Sequence, residues 1–157
     1  MATINTNEIL YKIQKALNLT SDDMLKAYGL EDYTMEATHL ESLLMRRQEK
    51  DFKICSYEEL GIFLDGLVSL KRGVSPKKQN DDEAVELTNN LILKKLRIAL
   101  ELKDAQMGEI LSLADVNLSK QQLASLFRNE SHKNYRECSD ELLIAFTEGL
   151  DKWSEGR

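Results

Sequence analysis

Apolar residues recur along the chain at the spacing of one helix face. Ile9, Leu10, Ile13, Ala16 and Leu17 fall at i, i+1, i+4, i+7 and i+8, and Ile92, Leu93, Leu96, Ala99 and Leu100 repeat that stripe. The pattern predicts a first helix starting at Asn7 and again at Asn90, residues suited to an N-cap. A second helix is expected from Ser21 and from Asp104, again read as N-cap residues, carrying Met24, Ala27 and Tyr28 or Met107, Ile110 and Leu111. A third is clearest in the second half, where Ser119-Lys-Gln-Gln122 reads as a capping box and Leu118 can staple onto Leu123; Glu36 stands at the same place in the first half as a poorer cap. A fourth starts at Ser56-Tyr-Glu-Glu59 and at Ser139, and runs through Leu60, Phe63 and Leu67 or Leu143, Phe146 and Leu150. Gly73 and Gly156 sit where C-terminal caps belong. No segment shows sustained period-2 alternation, so the expected fold is all-α.

The duplication is explicit. Sliding the chain by 83 residues places Asn7–Gly73 on Asn90–Gly156 without a gap, with 22 of 67 positions identical. Such a repeat signals two copies of one supersecondary unit. The chain therefore divides into a first helical repeat at 1–73, a linker at 74–89 and a second repeat at 90–157. The linker holds the only proline, Pro76, and a polar run from which we expect exposure and mobility between Pro76 and Glu83. The reading is a tandem duplication of a four-helix unit, with the two halves packed together through apolar surplus such as Val68, Leu70 and Trp153. Gly66 and Gly149 fall at equivalent places inside the fourth helices. A glycine there costs about 1 kcal/mol relative to alanine, and its retention in both repeats points to close approach of another helix; the alternative is shared inheritance without a role.

Composition adds bounds. The 157 residues are 42% hydrophobic and 31% charged, a globular balance. The formal net charge of −6 argues against a large basic face. No apolar run approaches the 18 or more residues of a membrane span, and the N-terminus shows no export signal. These features point to a cytoplasmic protein without membrane contact. Two cysteines make no disulfide framework.

Candidate chemistry is sparse. Cys55 and Cys138 each precede a serine cap and lie five residues before Leu60 or Leu143, the spacing of a hydrophobic staple. They read as buried free thiols; the alternative is a Cys55–Cys138 disulfide across a pseudo-dyad. His39 and His132 occupy non-equivalent positions, and neither has a second ligand at helical zinc spacing, so no metal is expected. No phosphate loop or nucleophile elbow is present. No catalytic residue and no cofactor are assigned, and an enzyme is disfavoured. One polar feature is duplicated. After each third helix comes a loop that interleaves cations with an aromatic: Arg46, Arg47, Lys50, Phe52 and Lys53 in the first repeat, Arg128, His132, Lys133, Tyr135 and Arg136 in the second. Such loops can contact phosphates and stack on a base. The plain structural alternative is an aromatic plugging the core edge beside solvated cations. A helix-turn-helix reading of helices two and three is undercut by Ser112 opposite Gly29 and by a long turn from Leu113 to Leu118.

Asn90-Leu-Ile-Leu-Lys-Lys-Leu-Arg-Ile-Ala-Leu-Glu-Leu-Lys-Asp, Leu-Ala-Asp115-Val-Asn-Leu-Ser119 and His132-Lys-Asn-Tyr-Arg-Glu-Cys138-Ser-Asp resemble segments of the YehS-like bacterial proteins. The resemblance covers nearly the whole chain and is strongest in the second repeat. The first repeat departs, with Asp-Phe-Lys-Ile-Cys55-Ser-Tyr in place of Asn-Tyr-Arg-Glu-Cys138-Ser-Asp. It implies a bacterial, cytoplasmic protein with a duplicated domain of unknown function, and brings no activity with it. The leading functional expectation is a non-catalytic interaction module with a protein partner. The alternative is a nucleic-acid-binding or regulatory protein that uses the two loops.

Overall fold

The computed structural model describes residues 6–46, 48–73 and 87–155. They form eight helices: α1 Thr6–Leu17, α2 Ser21–Leu30, α3 Ala37–Leu44, α4 Tyr57–Arg72, α5 Asn89–Ala99, α6 Asp104–Leu113, α7 Lys120–Ser125 and α8 Asp140–Glu155. No strand occurs among the described residues. The fold is all-α, with α1–α4 and α5–α8 as two copies of one unit. Arg47, most of the expected linker and Gly156 lie outside the described residues.

The helix boundaries follow local chemistry. Ser56 and Ser119 cap α4 and α7 through reciprocal boxes with Glu59 and Gln122. Glu36 makes no side-chain cap, as its chemistry predicts. The starts of α2 and α6 differ from the expectation. Thr20 caps α2, and Ser21 and Asp104 are the first helical residues rather than caps. At α6 only Gln106 contributes, accepting the Lys103 N–H at 2.9 Å, because a lysine side chain has no acceptor to return. Gly73 ends α4 at φ +88°, its N–H donating to Ser69 O at 2.8 Å. Four other helix ends are left-handed without glycine, again in equivalent pairs: Asn18 with Glu101, and Asp32 with Asp115. Each places the following N–H on a carbonyl five residues back, such as Leu19 on Gln14 O and Leu102 on Arg97 O, both at 3.0 Å.

Packing between the units defines the architecture. The first helix of each unit lies along the last helix of the other: α1 on α8, and α5 on α4. Contacts within a unit join α2 to α4 and α6 to α8. Lys12 pairs with Glu148 at 3.4 Å, and the equivalent Lys95 pairs with Asp65. Lys15 pairs with Asp151, also at 3.4 Å, so α1 and α8 run in the same direction. Likewise Leu87, just before α5, meets Gly61 near the start of α4, while Arg72 near its end reaches Glu101. The halves thus pack together about a pseudo-dyad roughly parallel to four long helices.

One hydrophobic core spans both units, including Tyr28, Phe63, Leu67, Phe146 and Leu150, with Val68, Leu70 and Trp153 packed at its edge. The glycine expectation holds. A Cβ at Gly66 would lie 2.0 Å from Ala27 O, and one at Gly149 would lie 2.0 Å from Ile110 O. At these points α4 touches α2, and α8 touches α6, backbone to backbone.

Candidate functional site

The duplicated loops are fixed by an element that helical spacing mislabels. Asn7 and Asn90 are not caps. Each is the second residue of its helix, buried, and turned toward the loop that precedes the fourth helix of its unit. Asn7 Nδ2 donates to Leu43 O at 2.9 Å and to Lys53 O at 2.8 Å, and its Oδ1 accepts the Cys55 N–H at 2.9 Å. Asn90 repeats the set on Leu126 O at 2.9 Å, Arg136 O at 2.9 Å and the Cys138 N–H at 2.8 Å. The reason is donor and acceptor matching. Three backbone groups are withdrawn from water where the loop folds over the core, and an amide offers two donors and one acceptor. The cap of α5 falls instead to Thr88, which accepts the Leu91 N–H at 3.1 Å. The loops are further tied by the Lys53 N–H to Ser42 O and the Arg136 N–H to Ser125 O.

These ties bring most sequence candidates to one end of the molecule. The Thr6 hydroxyl donates to Cys55 O, and Asn89 Nδ2 donates to Cys138 O, so α1 starts beside α4 and α5 beside α8. Because α1 runs with α8 and α5 with α4, all four long helices start at that end, and both loops lie across it. Arg46, Lys50, Lys53, His132, Lys133 and Arg136 are exposed there, while Phe52, Tyr135 and Arg128 are half-buried. Phe52 and Tyr135 therefore expose only part of their surface at this end. Arg128 is within 3.3 Å of the His132 ring. Arg47 lies outside the described residues. The face is not uniformly positive, since Glu49, Asp51, Glu58, Glu130, Glu137, Asp140 and Glu141 share it. Ile54 is 72% exposed and Tyr57 56% exposed on the first-unit side, where the second unit has Glu137 and Asp140.

Cys55 and Cys138 are buried and free at the starts of α4 and α8. Burial pushes both thiols up to about 12, with nearby carboxylates adding to it. Neither is a nucleophile at neutral pH.

A second feature exists in the first unit alone. His39 Nε2 lies 2.5 Å from Glu59 Oε2, with the carboxylate nearly buried at the start of α4. Burial raises the Glu59 carboxyl, but the Ser56 N–H, His39 and the Ser56 hydroxyl together outweigh it and hold the group below its ordinary value. Because a carboxylate only accepts, Nε2 carries the hydrogen, which leaves the other ring nitrogen without a partner among the described residues. Beside the pair opens a cleft of about 390 Å³, lined by Tyr33, Thr34, Thr38, His39, Ser42 and Lys53, among others. Spacing within one repeat gives no hint of it. Comparison of the copies does: Gln122 and Leu142 stand where the first unit has His39 and Glu59. In α7 the glutamine serves the capping box, and its replacement by histidine frees the side chain to reach α4. No group of three or more metal-ligating residues occurs among the described residues, nor does any described helix suffice in length and apolarity to cross a membrane.

Fold and loops together define a tandemly duplicated all-α protein whose halves interlock through their first and last helices. The family described as a protein of unknown function (DUF1456) matches the sequence twice, over residues 6–73 and 89–154, and the chain belongs to that family. It is similar to the uncharacterized protein YehS of Escherichia coli (strain K12), with 31% identity over 145 residues, 92% of this chain and 93% of the relative. No solved structure matches.

Proposed function

We propose that the protein is a non-catalytic binding module that engages a protein partner through the end where both loops lie. The observation that carries this reading is the duplicated asparagine clamp. Two buried amides per molecule are devoted to holding exposed loops in one conformation, and a rigid scaffold presenting ordered loops is how binding surfaces are commonly built. The mixed signs on the face suit a protein surface better than a polyanion, because opposing charges specify register while uniform positive charge attracts phosphate. Ile54 and Tyr57, exposed on the first-unit side of the face, supply an apolar anchor for such an interface. Residence in a bacterial cytoplasm belongs to the same reading, and the two free thiols suit a reducing compartment.

The exposure of Arg46, Lys50, Lys53, Lys133 and Arg136 favours the second reading, contact with nucleic acid. One experiment separates the two: affinity capture from native bacterial lysate with wild type, Ile54→Asp/Tyr57→Asp and Lys50→Glu/Lys133→Glu, with and without nuclease. The proposal expects a defined protein that survives nuclease and is lost with Ile54→Asp/Tyr57→Asp. Material released by nuclease, or capture unchanged in both variants, contradicts it.

A further inference from the structure

We propose that the cleft of the first unit is a binding site for a small hydroxylated anion, a carboxylate or phosphate ester carrying a hydroxyl near its charged group. The argument starts from what lines it. About 390 Å³ lies within the range of small-molecule sites, which pair a formed concavity with a few convergent polar groups. The groups here are mostly donors. Lys53 has no ion pair among the described residues, and the hydroxyls of Thr34 and Thr38 have no partner there either. Glu36, also in the lining, is exposed, as are Thr34, Thr38 and Lys53. An ammonium and two free hydroxyls among the lining groups favour a negative group. His39 supplies the complementary contact. Its Nε2–H is committed to Glu59, so the other ring nitrogen, without a partner among the described residues, is the atom left to meet a ligand hydroxyl, a group that both donates and accepts. Glu59 does not touch the ligand. It fixes the tautomer and orientation of the ring, the role a carboxylate partner gives a functional histidine.

The duplication supplies a contrast inside the same molecule. Lys53 is matched by Arg136 and Ser42 by Ser125, so the charge and the small hydroxyl are common to both units. The His39–Glu59 pair, Tyr33 and Thr34 are replaced by Gln122, Leu142, Val116 and Asn117. The second unit keeps the fold and lacks the pair, so the fold alone does not require a buried carboxylate and a histidine at this place.

The test is titration of the full, isotopically labelled chain by NMR at constant ionic strength. The probes are inorganic phosphate, acetate and glycerol phosphate, on wild type, His39→Gln, Lys53→Gln and, as the control in the other unit, Arg136→Gln. The site predicts saturable shifts at Thr34, Thr38 and Ser42. Phosphate against acetate decides which anion is preferred. Lys53→Gln weakens binding about fivefold, the effect of one partly solvated charge, and Arg136→Gln leaves it unchanged. His39→Gln, which installs the residue of the second unit, weakens glycerol phosphate and spares inorganic phosphate. Absence of saturation by about 50 mM, weaker than any useful affinity, or equal effects of Lys53→Gln and Arg136→Gln overturns the proposal. Equal loss of both phosphates in His39→Gln overturns the hydroxyl contact.

Discussion

Replacing Asn7 by alanine tests the physical basis of the loop face. The substitution removes three hydrogen bonds and leaves Leu43 O, Lys53 O and the Cys55 N–H without their partner. A net worth of about 1 kcal/mol per bond gives a loss of about 3 kcal/mol, a large fraction of the 5–15 kcal/mol by which domains are stable. Asn90→Ala should cost the same, because its three partners sit at equivalent positions with distances within 0.1 Å of those of Asn7. Asn90→Asp should cost at least as much, since it keeps the acceptor for Cys138 but sets a carboxylate against two carbonyl oxygens. Urea unfolding followed by circular dichroism reads the effect. With a slope of about 2 kcal/mol per molar, each midpoint falls by about 1.5 M. Asn117→Ala, at an exposed site, serves as the control and should move it little. A loss below about 1 kcal/mol at Asn7 or Asn90, within the range of a single ordinary hydrogen bond, would refute the clamp.

Three more outcomes follow from the packing and the titrating groups. Gly66→Ala and Gly149→Ala should each destabilise by about 2 kcal/mol or more because the new Cβ meets a backbone carbonyl, whereas Gly108→Ala, with nothing within 4 Å, should be neutral or gain up to about 1 kcal/mol; thermal melts decide. Cys55 and Cys138 should resist a disulfide reagent at pH 8 in the native protein and react fully in urea, and rapid native labelling would contradict their burial. Glu59 titrates lower folded than unfolded, so its contribution is present above the ordinary value of 4.5 and is lost as pH falls through the folded value. The stability gap between wild type and Glu59→Gln should therefore be widest near neutrality and close in acid, and a gap independent of pH would show that Glu59 is not ionised in the fold.

What periodicity could reach was helix content and repetition. The stripes from Ile9 and Ile92, the boxes at Ser56 and Ser119, and the glycines at 66 and 149 all have local physical meanings, and each stands in the structure as read. Asn7 and Asn90 show where local reading stops. An asparagine at a helix start satisfies the cap rule, yet its partners are 36 to 48 residues away and are known only once the loop is folded. Of the left-handed ends, Asn18 carries a signal, since asparagine tolerates that conformation, whereas its equivalent Glu101 carries none. The cleft was legible only as a difference between copies: His39 against Gln122 and Glu59 against Leu142 break a pattern that the rest of the chain keeps. The loop cations were found by charge density, but their shared location depends on the helix pairing across the pseudo-dyad, which no spacing encodes.

That pairing is the claim on which the loop face rests, and zero-length carbodiimide cross-linking of the full chain tests it directly. Duplication makes the alternatives explicit, since Lys12 is equivalent to Lys95 and Asp65 to Glu148. If each first helix lies along the last helix of the other unit, mass spectrometry will find Lys12 joined to Glu148, Lys15 to Asp151 and Lys95 to Asp65. Links of Lys12 to Asp65 and of Lys95 to Glu148 would instead place each first helix on its own unit, and both loops would no longer share one end.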